Sequence, residues 1–168
     1  MINQQIHHIH GIVDSRVVLL KSHDENGFVF YTNYESLKGK VLEENPNASL
    51  VFYWKELERQ ICIIGKVQKI SRQESTSYFH SRPRQSQISV HASEQSQIIN
   101  NRQELEENFA HFTKEFEGKE VPLPPYWGGY RLVPNTIEFW LNQRDRMHDR
   151  LRYTRQNSGQ WLLQRLSP

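Results

Sequence analysis

Short apolar and β-branched runs, each closed by turn-forming residues, recur along the whole chain and dominate its folding options. Arg16-Val17-Val18-Leu19-Leu20-Lys21 and Phe28-Val29-Phe30-Tyr31-Thr32 read as strands joined by the turn residues Asp24-Glu25-Asn26-Gly27. Residues 48–54 and 60–70 are two more, and the runs 130–133, 136–141, 151–155 and 160–166 close the chain. Helical signals are fewer. Ser36 is placed to cap a short helix that Asn45-Pro46 ends, and residues 71–81 read as a helix stopped by Pro83. Residues 102–116 form the clearest one, with Leu105, Phe109, Phe112 and Phe116 at helical spacing, a stripe for a core or a subunit interface. Six or more strands in hairpin-like succession predict a mainly β fold, an antiparallel β-barrel with flanking helices. At 168 residues the expectation is one domain, 1–168, with an atypical stretch at 1–10.

Charge and composition exclude several functions. Lys+Arg 21 against Asp+Glu 19 leaves a formal charge of +2, so no nucleic-acid partner is expected. No apolar run reaches the roughly 18 residues that a membrane span needs. The lone cysteine, Cys62, sits in an apolar run and forbids an intrachain disulfide; a reducing, cytoplasmic location is expected. His7, His8 and His10 have no carboxylate or cysteine near them in sequence, so a strand-forming or frayed terminus is favoured over a metal site, and no metal is expected.

Two stretches carry chemistry. Arg146, His148 and Arg150 would share one face of a strand, giving two guanidinium groups and an imidazole to an anionic ligand with a proton to move; a surface ion-pair ladder is the alternative. Tyr78, Arg82 and Ser86 stand at i, i+4 and i+8 and could surround a phosphate monoester. Pro83 forbids an unbroken helix there, so the alignment would have to form where a helix ends.

Taken in order, Arg16 to Lys21, Phe30-Tyr31-Thr32-Asn33, Leu57-Glu58-Arg59-Gln60, residues 78–87 (YFHSRPRQSQ), residues 121–131 (VPLPPYWGGYR), Ile137-Glu138-Phe139-Trp140 and Arg146-Met147-His148-Asp149-Arg150 resemble the pyridoxamine 5′-phosphate oxidase family from about Gly11 to Pro168. The resemblance implies an FMN-binding split barrel, working as a homodimer through a C-terminal dimerisation and substrate region at 121–168. Matched by position, it implies FMN contacts from Arg16, Val17, Leu19, Lys21, Tyr31, Thr32, Ser36, Lys38 and Gln60 of one subunit, with Gln95, Ser96, Trp140 and Arg150 from the other. Lys21, Tyr78, Arg82 and Ser86 would hold the substrate phosphate, and Arg146 and His148 would act on the pyridine. The implied reaction oxidises pyridoxamine or pyridoxine 5′-phosphate to pyridoxal 5′-phosphate, with dioxygen as acceptor and hydrogen peroxide as product.

Two departures from the family pattern bear on this expectation. Leu37 stands where the family carries the first residue of a basic pair. Only Met1 to His10 precede Gly11, where family members carry a few dozen residues that include a strand and a segment closing over the substrate, so a short strand but no complete lid is expected from them. A non-catalytic relative that binds FMN or pyridoxal phosphate, and a flavin oxidase of another aromatic metabolite of the phenazine type, are the competing readings.

Overall fold

The computed structural model describes residues 3–9 and 12–168, with side chains from Ser15 onward; His10, and the side chains of His7 and His8, lie outside the described residues. In chain order the elements are β1 (Asn3–Ile9), β2 (Ile12–Val18), β3 (Ser22–Asp24), β4 (Gly27–Asn33), α1 (Leu37–Glu44), β5 (Asn47–Trp54), β6 (Arg59–Lys69), α2 (Arg72–Ser81), α3 (Arg84–Ala92), α4 (Arg102–Glu115), β7 (Trp127–Leu141), β8 (Asp149–Arg155) and β9 (Trp161–Leu166). The strands join one sheet in the order β2-β1-β5-β6-β7-β4-β3, and β8 and β9 extend it from β7. The mainly β expectation holds.

The chain divides into two compact units. One comprises Met1–Phe30, Val41–Gln68 and Arg131–Pro168; the other comprises Tyr31–Lys40 and Lys69–Tyr130. In the first, strand alternation sets the core. Ala48, Leu50 and Phe52 on β5 and Ile63 and Val67 on β6 are buried, while the adjacent Tyr53 and Ile64, which point to the other face, are exposed. The β3–β4 turn needs Gly27: its φ is +138°, and a Cβ there would collide with the Leu132 carbonyl oxygen.

In the second unit the core is Phe79, Ile88, Val90, Phe116, Val121 and Trp127, with Phe109 and Phe112 of α4 packed on it. Of the stripe read from the sequence, Phe116 is in this core and Phe109 and Phe112 pack on it partly buried. Burying each such side chain stabilises by about 1.5–3 kcal/mol. Ser71 caps α2 by accepting from Glu74 N–H at 3.0 Å, and Asn101 caps α4 by accepting from Glu104 N–H at 3.0 Å.

Three local expectations change. The first strand ends at Val18 instead of Lys21. The runs 130–133 and 136–141 are one strand, β7, with Pro134 inside it. Pro83 does not simply stop a helix: it caps a second one, α3, because a fixed φ and a missing N–H suit the start of a helix. Among the described residues, no helix is long and apolar enough to cross a membrane, and no group of three His, Cys, Asp or Glu could hold a metal.

Candidate functional site

In the second unit, Arg82 lies where α2 ends, between Tyr78 and Ser86 in the chain. Arg82 follows the last turn of α2, and its N–H still bonds to the Phe79 carbonyl at 3.2 Å. The following proline biases Arg82 to extended backbone, φ −76° and ψ 152°. Tyr78 thus lies on α2, Arg82 in the link and Ser86 in the first turn of α3. The three residues are thus carried by two helices and the link between them, not by one continuous helix. The Arg82 guanidinium carbon sits 4.8 Å from the centre of the Trp127 ring. Burial pushes the Arg82 pKa below the ordinary arginine value, against the neighbouring Tyr78. Its Nη1 is the one buried side-chain polar atom among the described residues without a hydrogen-bond partner. An orphaned guanidinium nitrogen costs about 1–3 kcal/mol unless a ligand satisfies it, and an oxyanion does so best.

A second polar set in the same unit follows β4. Lys38 is only 6% exposed and donates to Thr32 Oγ1 at 2.5 Å; Thr32 Oγ1 donates to Gln95 Oε1 at 3.2 Å. Buried Ser36 caps α1, accepting from Gly39 N–H at 3.1 Å while donating to the Asn33 carbonyl at 2.7 Å. A buried ammonium among hydroxyls and an amide is a donor set suited to a phosphate monoester, so these residues fit the phosphate end of FMN. The resemblance assigns Gln95 to a partner subunit, yet within one chain it already stands beside Thr32. Ser96 follows it in left-handed backbone, φ 74°. Tyr31 stacks on Tyr78 and on Trp127, at centroid distances of 3.8 and 5.4 Å.

The first unit holds the remaining residues. Gln60 and Trp140 line a cavity of about 630 Å³ with Trp54, Ile61, Phe139 and Tyr153. An aromatic, apolar wall with a few polar groups suits a flat ring system. Trp140 pairs with Arg150 across the β7–β8 hairpin, and its ring lies 4.7 Å from that of His148. Arg150 is held by Glu138, with Nε–Oε1 2.8 Å and Nη2–Oε1 2.7 Å, while Arg152 binds the other carboxylate oxygen at 3.0 Å. Arg16 and Val17 on β2, Leu19 just beyond it, and Lys21 are exposed.

The expectation that Arg146, His148 and Arg150 share a strand face does not hold. Asp145 and Arg146 both adopt left-handed backbone, φ 55° and 61°, inside a 3₁₀ turn, and β8 begins only at Asp149. The turn breaks the period of two. His148 is instead fixed by the Gln143 N–H, which donates to its Nδ1 at 3.2 Å.

Sequence reasoning assigned no role to Glu138, Trp127 or Gln87. Glu138 was open to discovery, because antiparallel pairing sets it opposite Arg152. The other two depend on tertiary packing that no local pattern encodes.

Comparison with known proteins follows the same lines. Residues 9–114 match the family described as pyridoxamine 5′-phosphate oxidase, and residues 127–168 match the pyridoxine 5′-phosphate oxidase C-terminal dimerisation region. A pyridoxine/pyridoxamine 5′-phosphate oxidase of Trichormus variabilis is 51% identical over 158 residues, 94% of this chain and 74% of that protein. One from Microcystis aeruginosa is 53% identical over 154 residues, 92% of this chain and 72% of its own. Among solved structures, PhzG from Burkholderia lata in complex with tetrahydrophenazine-1-carboxylic acid superposes with a TM-score of 0.93 at 33% identity, covering 99% of this chain and 82% of that one. A pyridoxamine 5′-phosphate oxidase-related, FMN-binding protein from Nostoc punctiforme gives 0.78 at 14% identity, covering 99% and 88%, a likeness of fold. The fold class is that of the FMN-binding split barrels.

Proposed function

The chain belongs to the pyridoxamine 5′-phosphate oxidase family, and from that premise we propose that it oxidises pyridoxamine or pyridoxine 5′-phosphate to pyridoxal 5′-phosphate, with dioxygen as acceptor. It is an oxidoreductase whose cofactor is FMN. For the amine, substrate, dioxygen and water give the aldehyde, ammonia and hydrogen peroxide. FMN supplies the hydride acceptor when bound. The protein supplies binding, orientation and charge. Lys38 and Thr32 hold the cofactor phosphate. Gln60 and Trp140 border the aromatic cavity, and Arg82 with Tyr78 and Ser86 takes the substrate phosphate, to which the family pattern adds Lys21. His148, its Nδ1 occupied by the Gln143 N–H, presents its other ring nitrogen to the substrate, with Arg146 from the turn before it.

The observation that carries this reading is the buried, unpartnered Nη1 of Arg82, set between Tyr78 and Ser86 in the chain. The match of 127–168 to a dimerisation region supports a homodimer, and in that region β9 exposes Trp161, Leu162 and Leu163. Such a patch is what an obligate interface covers.

PhzG holds an aromatic carboxylate, so a second reading is oxidation of an unphosphorylated aromatic acid. A guanidinium binds either anion, but the hydroxyls of Tyr78 and Ser86 add donors that a monoester can use. An anaerobic titration separates the two. FMN-loaded protein is mixed with pyridoxamine 5′-phosphate, and the oxidised-flavin absorbance is followed. Bleaching that reverses when air is admitted is the expected result. An unchanged spectrum, with FMN bound and with bleaching by a dihydrophenazine carboxylate, would replace the first reading by the second.

A further inference from the structure

Arg82 is held from two sides by residues to which the proposed chemistry gives no part. On one side lies Trp127, 7% exposed and locked in the core with the Phe79 ring edge-on at 5.4 Å and 67°. Its backbone is tied down as well: Arg72 donates to the Trp127, Leu123 and Pro124 carbonyls, each at 2.8 Å. The indole plane under the guanidinium is therefore fixed by packing and by hydrogen bonds. On the other side Gln87, a buried amide of α3, donates from Nε2 to the Arg82 carbonyl at 2.8 Å and to the His80 carbonyl at 3.4 Å. That amide ties the backbone of the α2–α3 link to α3, where Ser86 also sits.

We infer that Trp127 and Gln87 are positioning residues for the phosphate site, the indole fixing the plane of the Arg82 guanidinium and the amide fixing the backbone that carries it. A long flexible side chain normally loses rotamer entropy when it grips a ligand. Here that entropy is already lost, and Nη1 waits buried and unpartnered, so an arriving anion gains the full charge-assisted hydrogen bond. The inference rests on the reading of Arg82 as a phosphate ligand. It adds a specificity rule: the two residues favour the phosphorylated ligand and leave recognition of the ring unaffected.

The test is equilibrium titration of the FMN-loaded protein with pyridoxal 5′-phosphate and, separately, with pyridoxal. The variants are Trp127→Phe, Gln87→Met and Arg82→Ala. Gln87→Met keeps the side-chain length and removes only the amide, so it stays informative should the core variant fold poorly. Trp127→Phe and Gln87→Met should each weaken pyridoxal 5′-phosphate by about threefold to tenfold, with pyridoxal affinity unchanged. Unchanged affinity for the phosphorylated ligand in both variants, while Arg82→Ala weakens it, would overturn the inference and leave the phosphate reading standing. Equal losses for both ligands would also overturn it, since they mark a merely structural role. An Arg82→Ala protein that binds pyridoxal 5′-phosphate as wild type does would remove the phosphate reading itself.

Discussion

The rings of Tyr31 and Tyr78 lie face to face, their centroids 3.8 Å apart and their planes 20° from parallel. This contact joins β4, which continues into the Thr32–Lys38 polar set, to α2, which leads into Arg82. The family resemblance implies Tyr31 on the cofactor and Tyr78 on the substrate phosphate, and on the proposed function the stack would couple the two. Tyr78→Phe keeps the ring and removes the hydroxyl. It should raise KM for pyridoxamine 5′-phosphate about fivefold to tenfold, the worth of one hydrogen bond, with the thermal midpoint unchanged. Tyr78→Ala removes the stack too and should lower the midpoint by about 5–10 °C, from a loss of roughly 2–3 kcal/mol. Steady-state kinetics and thermal unfolding on the same preparations separate the two effects.

Arg82 carries a stability cost that a bound anion would relieve. Its buried Nη1 without a partner is a cost that the ligand-free protein bears. Arg82→Met retains most of the stem packing and removes the orphaned group. The ligand-free variant should be as stable as wild type or about 1 kcal/mol more so, measured by the urea midpoint. The wild type should gain stability from added pyridoxal 5′-phosphate, and the variant should not. A variant that is both less stable and still stabilised by the ligand would place the phosphate elsewhere.

Much of this architecture was legible in the sequence where a local pattern reports a local structure. The α4 stripe at Leu105, Phe109, Phe112 and Phe116 needs only helical periodicity, and the cap of α1 needs only Ser36 ahead of a helix-forming run. Two kinds of feature stayed hidden. Pro83 obeys the rule that ends a helix and the rule that begins one, and only the packing of Gln87, Ile88 and Val90 into the second unit selects the second. The left-handed backbone at Asp145 and Arg146 has no glycine to announce it, so a period of two was carried through a turn. Arg146 and His148 therefore leave the strand face that a period of two assigns them with Arg150.

Glu138 gives the clearest pH dependence. Burial raises its carboxyl pKa, but the hydrogen bonds and charges of Arg150 and Arg152 outweigh this and hold it below the ordinary glutamate value. A depressed folded-state pKa means that the unfolded chain binds the proton more readily. The contribution of Glu138 is therefore present above about pH 4.3, the ordinary glutamate value, and is lost as pH falls through the lower folded value. Urea midpoints measured between pH 3 and 7 should fall more steeply on the acid side for wild type than for Glu138→Gln. At neutral pH Glu138→Gln should also loosen Arg150 and weaken FMN binding. Parallel acid limbs in the two proteins would show that the two arginines do not hold this carboxylate in solution.

Leu37 offers the most direct route to a tighter cofactor site. It opens α1 at 40% exposure, next to Lys38, which is nearly fully buried beside Thr32. The family resemblance implies a basic residue in its place, and if Lys38 holds the cofactor phosphate as proposed, this chain offers it one fewer charge-assisted hydrogen bond. Such a bond is worth roughly 1.5–3 kcal/mol, or about one to two decades in affinity. An added cation at the first position of a helix works against the helix dipole by only about 0.3–1 kcal/mol, too little to cancel the gain. Leu37→Arg should therefore lower the Kd for FMN about tenfold, read from quenching of flavin fluorescence on titration into the cofactor-free protein. Lys38→Met should raise it by at least as much. An arginine at 37 that leaves the Kd where it was would mean that Lys38 and its hydroxyl neighbours already satisfy the phosphate, and that the leucine costs this chain nothing.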